Sequence, residues 1–176
     1  MDVINPKEIN RKVITDEMLA GKIFIYPTDT IYGLGCNALN PSSVMKIREI
    51  KQRSYKPLSV IAPSKKWILD NCIADIKDLG KLPGPFTLIL KLKNKNAVAP
   101  EVNMGDTIGV RIPDHWFSSL VKEAGVPFVT TSVNISSRPY ITSLEDLPKE
   151  IESQVDYFIN EGPILGQPSE IIDLTR

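Results

Sequence analysis

An α/β domain built on a twisted, mixed sheet is the fold this sequence predicts. About seven apolar runs rich in β-branched and aromatic residues interleave with about five helical patterns, an order that lays helices on the faces of a sheet. Several links between runs, such as the one from Leu92 to Ile108, carry no clear helix, so parallel and antiparallel pairing are both expected. The 176 residues fit one domain, residues 1–176, with no internal repeat or low-complexity stretch. A chain of that size buries roughly 70% of the surface it exposes when unfolded, enough for a core and a pocket.

The elements follow in order. Residues 8–20 have helical spacing, with Ile9, Val13 and Leu19 roughly on one face and Gly21 placed to end the helix. "KIFIY" is a strand. "NPSSVMKIREIKQR" opens a second helix with Asn40 as cap and Pro41 in the first turn, and Val44, Ile47 and Ile50 carry it to about Arg53. "PLSVIA" is a strand, Lys65 to Leu82 helical turns, and "FTLILKL" a strand that stops at "KNKN". "TIGVRIP" is the next strand, residues 115–124 a helix ended by Gly125, and "PFVTTS" a strand again. Ser143 and Asp146 have the spacing of a capping box that opens a helix to about Ser153, and "DYFIN" and "EIIDLT" are strands.

Composition excludes several classes. Lysine plus arginine equals aspartate plus glutamate, 21 each, so no long-range field draws in nucleic acid and any basic site must be local. No apolar run approaches the ~20 residues of a membrane span. The "MDVINPKEIN" start lacks the pattern of an export signal, and a cytoplasmic protein is expected. Cys36, Cys72 and a single histidine, His115, give no zinc or disulfide pattern, so no protein-bound metal is expected. Nor does His115 have a serine or cysteine nucleophile motif beside it.

The nucleotide motifs are equally informative by their failure. "GLGCNA" fits Gly-x-Gly-x-x-Ala, but that turn must join strand directly to helix, and here the helix starts only near Pro41. No Gly-x-x-x-x-Gly-Lys-Ser/Thr loop is present. Lys51 and Arg53 sit at a helix end, where cations suit the helix dipole by about 0.3–1 kcal/mol or else meet an anion. Arg111 interrupts a strand that is otherwise buried, and such a guanidinium needs an anionic partner. "PTDT", "VRIP", "TTSVN" and "PSEIID" all set hydroxyls, amides or a guanidinium where a strand meets a loop. Those groups either close local turns or face a ligand at the strand ends of an open sheet.

Taken in order, "PTDTIYGLG", "KQR", "PGPFTLIL", "GVRIPDH", "TSVN" and "PSEIIDLT", spread over about residues 22–175, closely resemble the YrdC-type L-threonylcarbamoyladenylate synthases in their single-domain form. The resemblance implies a YrdC-like sheet around a deep cavity. It also implies synthesis of L-threonylcarbamoyladenylate from L-threonine, bicarbonate or CO2 and ATP with Mg2+, releasing pyrophosphate. The threonylcarbamoyl group then passes, through a downstream transfer complex, to a tRNA adenosine beside the anticodon. Position by position, it assigns Lys51 and Arg53 a catalytic role. It places Lys51, Arg53, Ser132 and Asn134 on the nucleotide phosphates, with Thr107 and Arg138 as further nucleotide contacts. Thr28, Arg111, Thr130 and Ser169 fall to the threonine pocket. Two differences stand out: Glu170 replaces the threonine that most relatives carry after the serine, and most relatives continue past "DLT" into a segment whose arginine helps hold ATP.

The chemistry suits these residues. A buried arginine grips a carboxylate with two parallel hydrogen bonds, and N-carboxylated threonine is itself the nucleophile, so the chain supplies position and charge rather than a covalent catalyst. The competing readings are a non-catalytic module binding tRNA or double-stranded RNA, and a relative that forms carbamoyl-adenylate. A monomer is expected.

Overall fold

The computed structural model describes residues 1–175. Its strands are β1 (Asp2–Ile4), β2 (Phe24–Tyr26), β3 (Gly33–Gly35), β4 (Ser59–Ile61), β5 (Cys72–Ile73), β6 (Phe86–Leu92), β7 (Thr107–Arg111), β8 (Phe128–Ser132), β9 (Tyr157–Ile159) and β10 (Glu170–Asp173). Five α-helices accompany them: α1 (Arg11–Leu19), α2 (Pro41–Lys51), α3 (Lys65–Asn71), α4 (Phe117–Ala124) and α5 (Lys149–Glu152). The sheet runs β1-β9-β2-β3-β8-β4-β7-β6-β10, with β5 pairing the far end of β6. Pairing is mixed as expected: β4–β7 and β6–β10 are parallel, while β2–β3, β3–β8, β4–β8 and β6–β7 are antiparallel.

Alternation along the strands sorts side chains onto two faces. Val60, Leu88, Leu90, Ile108, Val110 and Val129 join one core with Val44, Ile47 and Ile50 of α2 and Ile68 of α3. Their neighbours Phe24, Tyr26, Ile61 and Phe128 form a second core with Ile14 and Met18 of α1 and Phe117, Leu120 and Val121 of α4. The capping grammar of α2 is realised: Asn40 accepts from the Ser43 N–H, Pro41 sits in the first turn, and Gln52 ends the helix at φ 51°. The helix stops at Lys51, two residues short of the expected end, because that left-handed turn satisfies its last carbonyls.

Local contacts explain where the sequence reading and the fold differ. The first helix begins at Arg11 after an Asn10 cap and buries Ile14 and Met18, leaving the expected Val13 and Leu19 exposed. Lys65 to Leu82 is not one helical stretch. Asn71 bonds back to the Trp67 carbonyl, its own carbonyl accepts from Lys93 and Asn94, and Cys72–Ile73 leave to pair with β6. The Ser143 side chain makes no cap hydrogen bond, Asp146 also accepts from Thr142, and after Pro148 the helix α5 covers only Lys149–Glu152. Strands β1, β3 and β5 were not expected, being two or three residues long and held by pairing rather than by their own pattern.

The β3 glycines answer to a close approach rather than to a nucleotide. A Cβ on Gly33 would lie 2.6 Å from the Tyr26 ring, and one on Gly35 only 1.8 Å from the Val129 carbonyl oxygen. Tyr26 lies between that strand and α4, stacked on Phe117 at 4.2 Å and donating to the Val129 carbonyl at 3.0 Å. Gly35→Ala is therefore expected to lower unfolding stability by about 2–3 kcal/mol, the usual cost of overpacking a rigid site, as measured by urea denaturation.

Candidate active site

The second sheet face is covered by α1 and α4 only at its β2–β8–β4 end. Farther along, the same face carries Ser59 on β4, Thr87 on β6, Gly109 on β7 and Thr130 and Ser132 on β8, residues too small to fill the space. The result is a cavity of about 200 Å³. Its lining includes Thr28, Arg53, Arg111, Thr130, Ser132 and Ser169, contributed by parts of the chain far apart in sequence. Gly109 keeps the floor open, since a Cβ there would lie 2.3 Å from the Ser59 hydroxyl and 3.3 Å from the Thr87 methyl.

The turn after β2 is built for Arg111. Thr28 closes it, its hydroxyl donating to the Ile31 carbonyl at 2.6 Å and accepting from the Thr30 N–H at 3.1 Å. Asp29 holds Arg111 Nη2 at 2.5 Å while accepting from the Asp114 N–H at 2.9 Å. Thr30 Oγ1 accepts from Arg111 Nη1 at 3.1 Å. The ion pair is buried, and burial draws the guanidinium pKa down while Asp29 pushes it back up. Arg111 Nε has no partner. That nitrogen is shut off from solvent, so Arg111 meets the cavity through other atoms of its side chain.

The second cationic group is organised differently. Arg53 lines the cavity, donates through Nη2 to the Pro57 carbonyl at 2.8 Å, and likewise leaves its Nε without a partner. Lys51 does not line the cavity. It lies beneath the 132–134 turn, almost wholly buried, with Nζ 2.7 Å from both the Ser132 carbonyl and Asn134 Oδ1 and 3.1 Å from the Asn134 carbonyl. Burial, with Arg53 adding to it, pulls its pKa down to about 7. Asn134 Oδ1 also accepts from the Ser132 hydroxyl at 2.7 Å, and its Nδ2 donates to the Arg138 carbonyl at 2.6 Å. Lys51, Ser132 and Asn134 thus form one hydrogen-bonded unit whose cavity-lining member is Ser132.

Thr107 and Arg138 lie apart from the others. Thr107 is at the opposite end of β7 from Arg111 and outside the cavity lining, its carbonyl accepting from the Asn103 amide. The Arg138 side chain is exposed, and its backbone carbonyl is the part that reaches the site. Glu170 opens β10 and is also exposed, away from the lining residues. Thr87 and Ser59 are lining residues that the sequence reading passed over. The available signal was a hydroxyl on an otherwise apolar strand, in "FTLILKL" and in "PLSVIA".

Two outcomes test this geometry. Asp29→Asn, which leaves Arg111 buried without its counter-charge, is expected to cost about 3 kcal/mol of stability in denaturant titrations. Lys51 holds its proton more weakly folded than unfolded, so the unfolded chain binds more protons above pH 7 and stability rises with pH. Between pH 7 and 8, below the range where unfolded cysteines ionise, wild type should gain about 1 kcal/mol relative to Lys51→Met.

Comparison with known proteins gives this arrangement a family. The Sua5_yciO_yrdC model, described as "Telomere recombination", matches residues 16–176. The chain is 41% identical over 167 residues to the "Putative threonylcarbamoyl-AMP synthase" of Methanocaldococcus jannaschii, spanning 90% of this chain and 77% of that protein. It is 34% identical over 171 residues to the threonylcarbamoyl-AMP synthase of Bacillus subtilis, spanning 86% of this chain and 46% of that one. The structure of P. abyssi Sua5 complexed with L-threonine aligns at TM-score 0.86 and 30% identity, over 100% of this chain and 55% of the other. The chain therefore spans about half the length of these last two relatives, and it shares the fold of the aligned part of the P. abyssi structure. This protein belongs to the Sua5/YciO/YrdC family.

Proposed function

We propose that this chain is an L-threonylcarbamoyladenylate synthase, joining L-threonine, bicarbonate or CO2 and MgATP with release of pyrophosphate. The observation that carries the reading is that two guanidinium side chains from distant parts of the chain, Arg111 and Arg53, line one hydroxyl-rich cavity. Two separate anionic groups are accommodated there, one from an amino acid and one from a phosphate. A volume of about 200 Å³ is below the ~300–1,000 Å³ of pockets that enclose drug-sized ligands, so it suits the amino acid and the phosphorus it joins, with the nucleoside lying outward.

Arg111 binds the threonine carboxylate, with Asp29 and Thr30 holding the guanidinium in orientation. The neutral amine adds to carbon dioxide and loses a proton, forming a carbamate. A carbamate oxygen bonds to the α-phosphorus, and the bond to the pyrophosphate oxygen breaks. Arg53 and the Ser132 hydroxyl face the charge that spreads over the phosphoryl oxygens, and Lys51 keeps Ser132 and Asn134 in place behind them. Mg2+ enters as part of the nucleotide substrate, bound through its phosphates. Threonine exceeds serine by one methyl, worth only about 1–3 kcal/mol of discrimination, whereas valine leaves a hydroxyl partner unsatisfied and is rejected more strongly.

The product serves a transfer complex that modifies a tRNA adenosine beside the anticodon, in the cytoplasm. Among the described residues no helix is long and apolar enough to cross a membrane. The names of the relatives favour synthesis over a non-catalytic RNA-binding module.

Pyrophosphate release from MgATP and bicarbonate should require L-threonine, and release that ignores threonine would point instead to a carbamoyl-adenylate-forming relative. Arg53→Ala should lower kcat by about 10²–10³ with the melting transition retained, as for loss of one charge-stabilising donor at a transition state. Near-normal turnover in that variant would contradict the role given to Arg53.

A further inference from the structure

The block "PGPFTLIL" has so far only a structural use, yet it supplies the buried polar residue Thr87, 5% exposed on the cavity side of β6. Thr87 Oγ1 lies 2.7 Å from Ser169 Oγ. Ser169 ends the segment that leads from β9 to β10, and that segment is fixed to the cavity wall along its length. The Tyr32 hydroxyl donates to the Gly162 carbonyl at 2.6 Å and accepts from the Glu161 N–H at 3.0 Å. Gly166 presses directly on the turn that holds Arg111, since a Cβ there would lie 2.0 Å from the Thr30 carbonyl oxygen. Strand β10 then locks to β6, with Ile171 opposite Thr87. The backbone of Ser169 is thus placed from both sides, and what remains free is the rotation of its hydroxyl.

We propose that Thr87 is a positioning residue that orients the Ser169 hydroxyl toward the amino-acid substrate and thereby sets the affinity for L-threonine. A hydroxyl has one hydrogen to donate and two lone pairs to accept. With Thr87 as donor in the pair, Ser169 keeps its own hydrogen for a ligand oxygen in the cavity. This rests on the reading of that cavity as the threonine site.

The test measures L-threonine binding by calorimetry and steady-state kinetics in Thr87→Val, Thr87→Ser, Ser169→Ala and the Thr87→Val/Ser169→Ala double variant. Thr87→Ala is the alternative should valine not be accommodated, and thermal melts establish folding. Thr87→Val should raise Kd and KM for L-threonine about fivefold or more, the effect of one hydrogen bond, with KM for ATP changed by less than about twofold. Thr87→Ser should restore most of the loss. Because Thr87 acts through Ser169, the double variant should bind threonine no more weakly than Ser169→Ala alone. Wild-type affinity in Thr87→Val and Thr87→Ala, or losses that simply add in the double variant, would overturn the inference and leave the synthase reading standing. Failure of wild type to bind L-threonine would overturn both.

Discussion

Asp29 and Arg111 hold one another where neither ion is stable alone. The pair is buried, and removing one partner from such a pair costs about 3–5 kcal/mol, so the turn after β2 and the end of β7 are bound to a common position. Everything else at the site is arranged around that position. Thr28 and Thr30 close the turn, Gly166 rests on it, and Asp29 reaches on to the Asp114 N–H beyond β7. Each terminal guanidinium nitrogen keeps a second hydrogen after these bonds are made. An arginine held by its own carboxylate yet short of one acceptor is rigid enough to orient a ligand anion without having to be ordered by it.

Lys51 shows how burial and function pull in opposite directions. Among the described residues it has no carboxylate partner, only carbonyls, a hydroxyl and an amide oxygen, and burial lowers its affinity for the proton. A nearby phosphate would supply the missing anion and strengthen that proton's hold. Together with Arg53 and the Asp29-balanced Arg111, it makes the site locally cationic in a chain whose overall charge is zero. That is the local basic site that balanced composition demands.

Much of this was legible from residue order. Arg111 in an apolar strand announced an anionic partner, but that Asp29 fills this place became visible only in the fold. The start of α2 followed from Asn40 and Pro41, and its buried face from the spacing of Val44, Ile47 and Ile50. Other features depend on contacts between distant segments and leave little local trace. The β3 strand is written as "GLG", which reads as a turn until Tyr26 and the Val129 carbonyl are seen to occupy the glycine positions. Lys51 as a support beneath Ser132 and Asn134, rather than a lining residue, depends on how α2 meets β8. Thr87 became visible only when β10 brought Ser169 beside it.

The central claim is spatial: a single hollow brings an amino-acid carboxylate to Arg111 and the α-phosphate of a nucleotide to Arg53 and Ser132. A crystal structure with L-threonine and a non-hydrolysable ATP analogue tests it most directly. The account predicts the carboxylate within hydrogen-bonding distance of the Arg111 guanidinium and the phosphate facing Arg53 and Ser132, with the threonine nitrogen turned toward the phosphorus. Threonine bound away from Arg111, or a nucleotide whose phosphates lie outside this cavity, would contradict it.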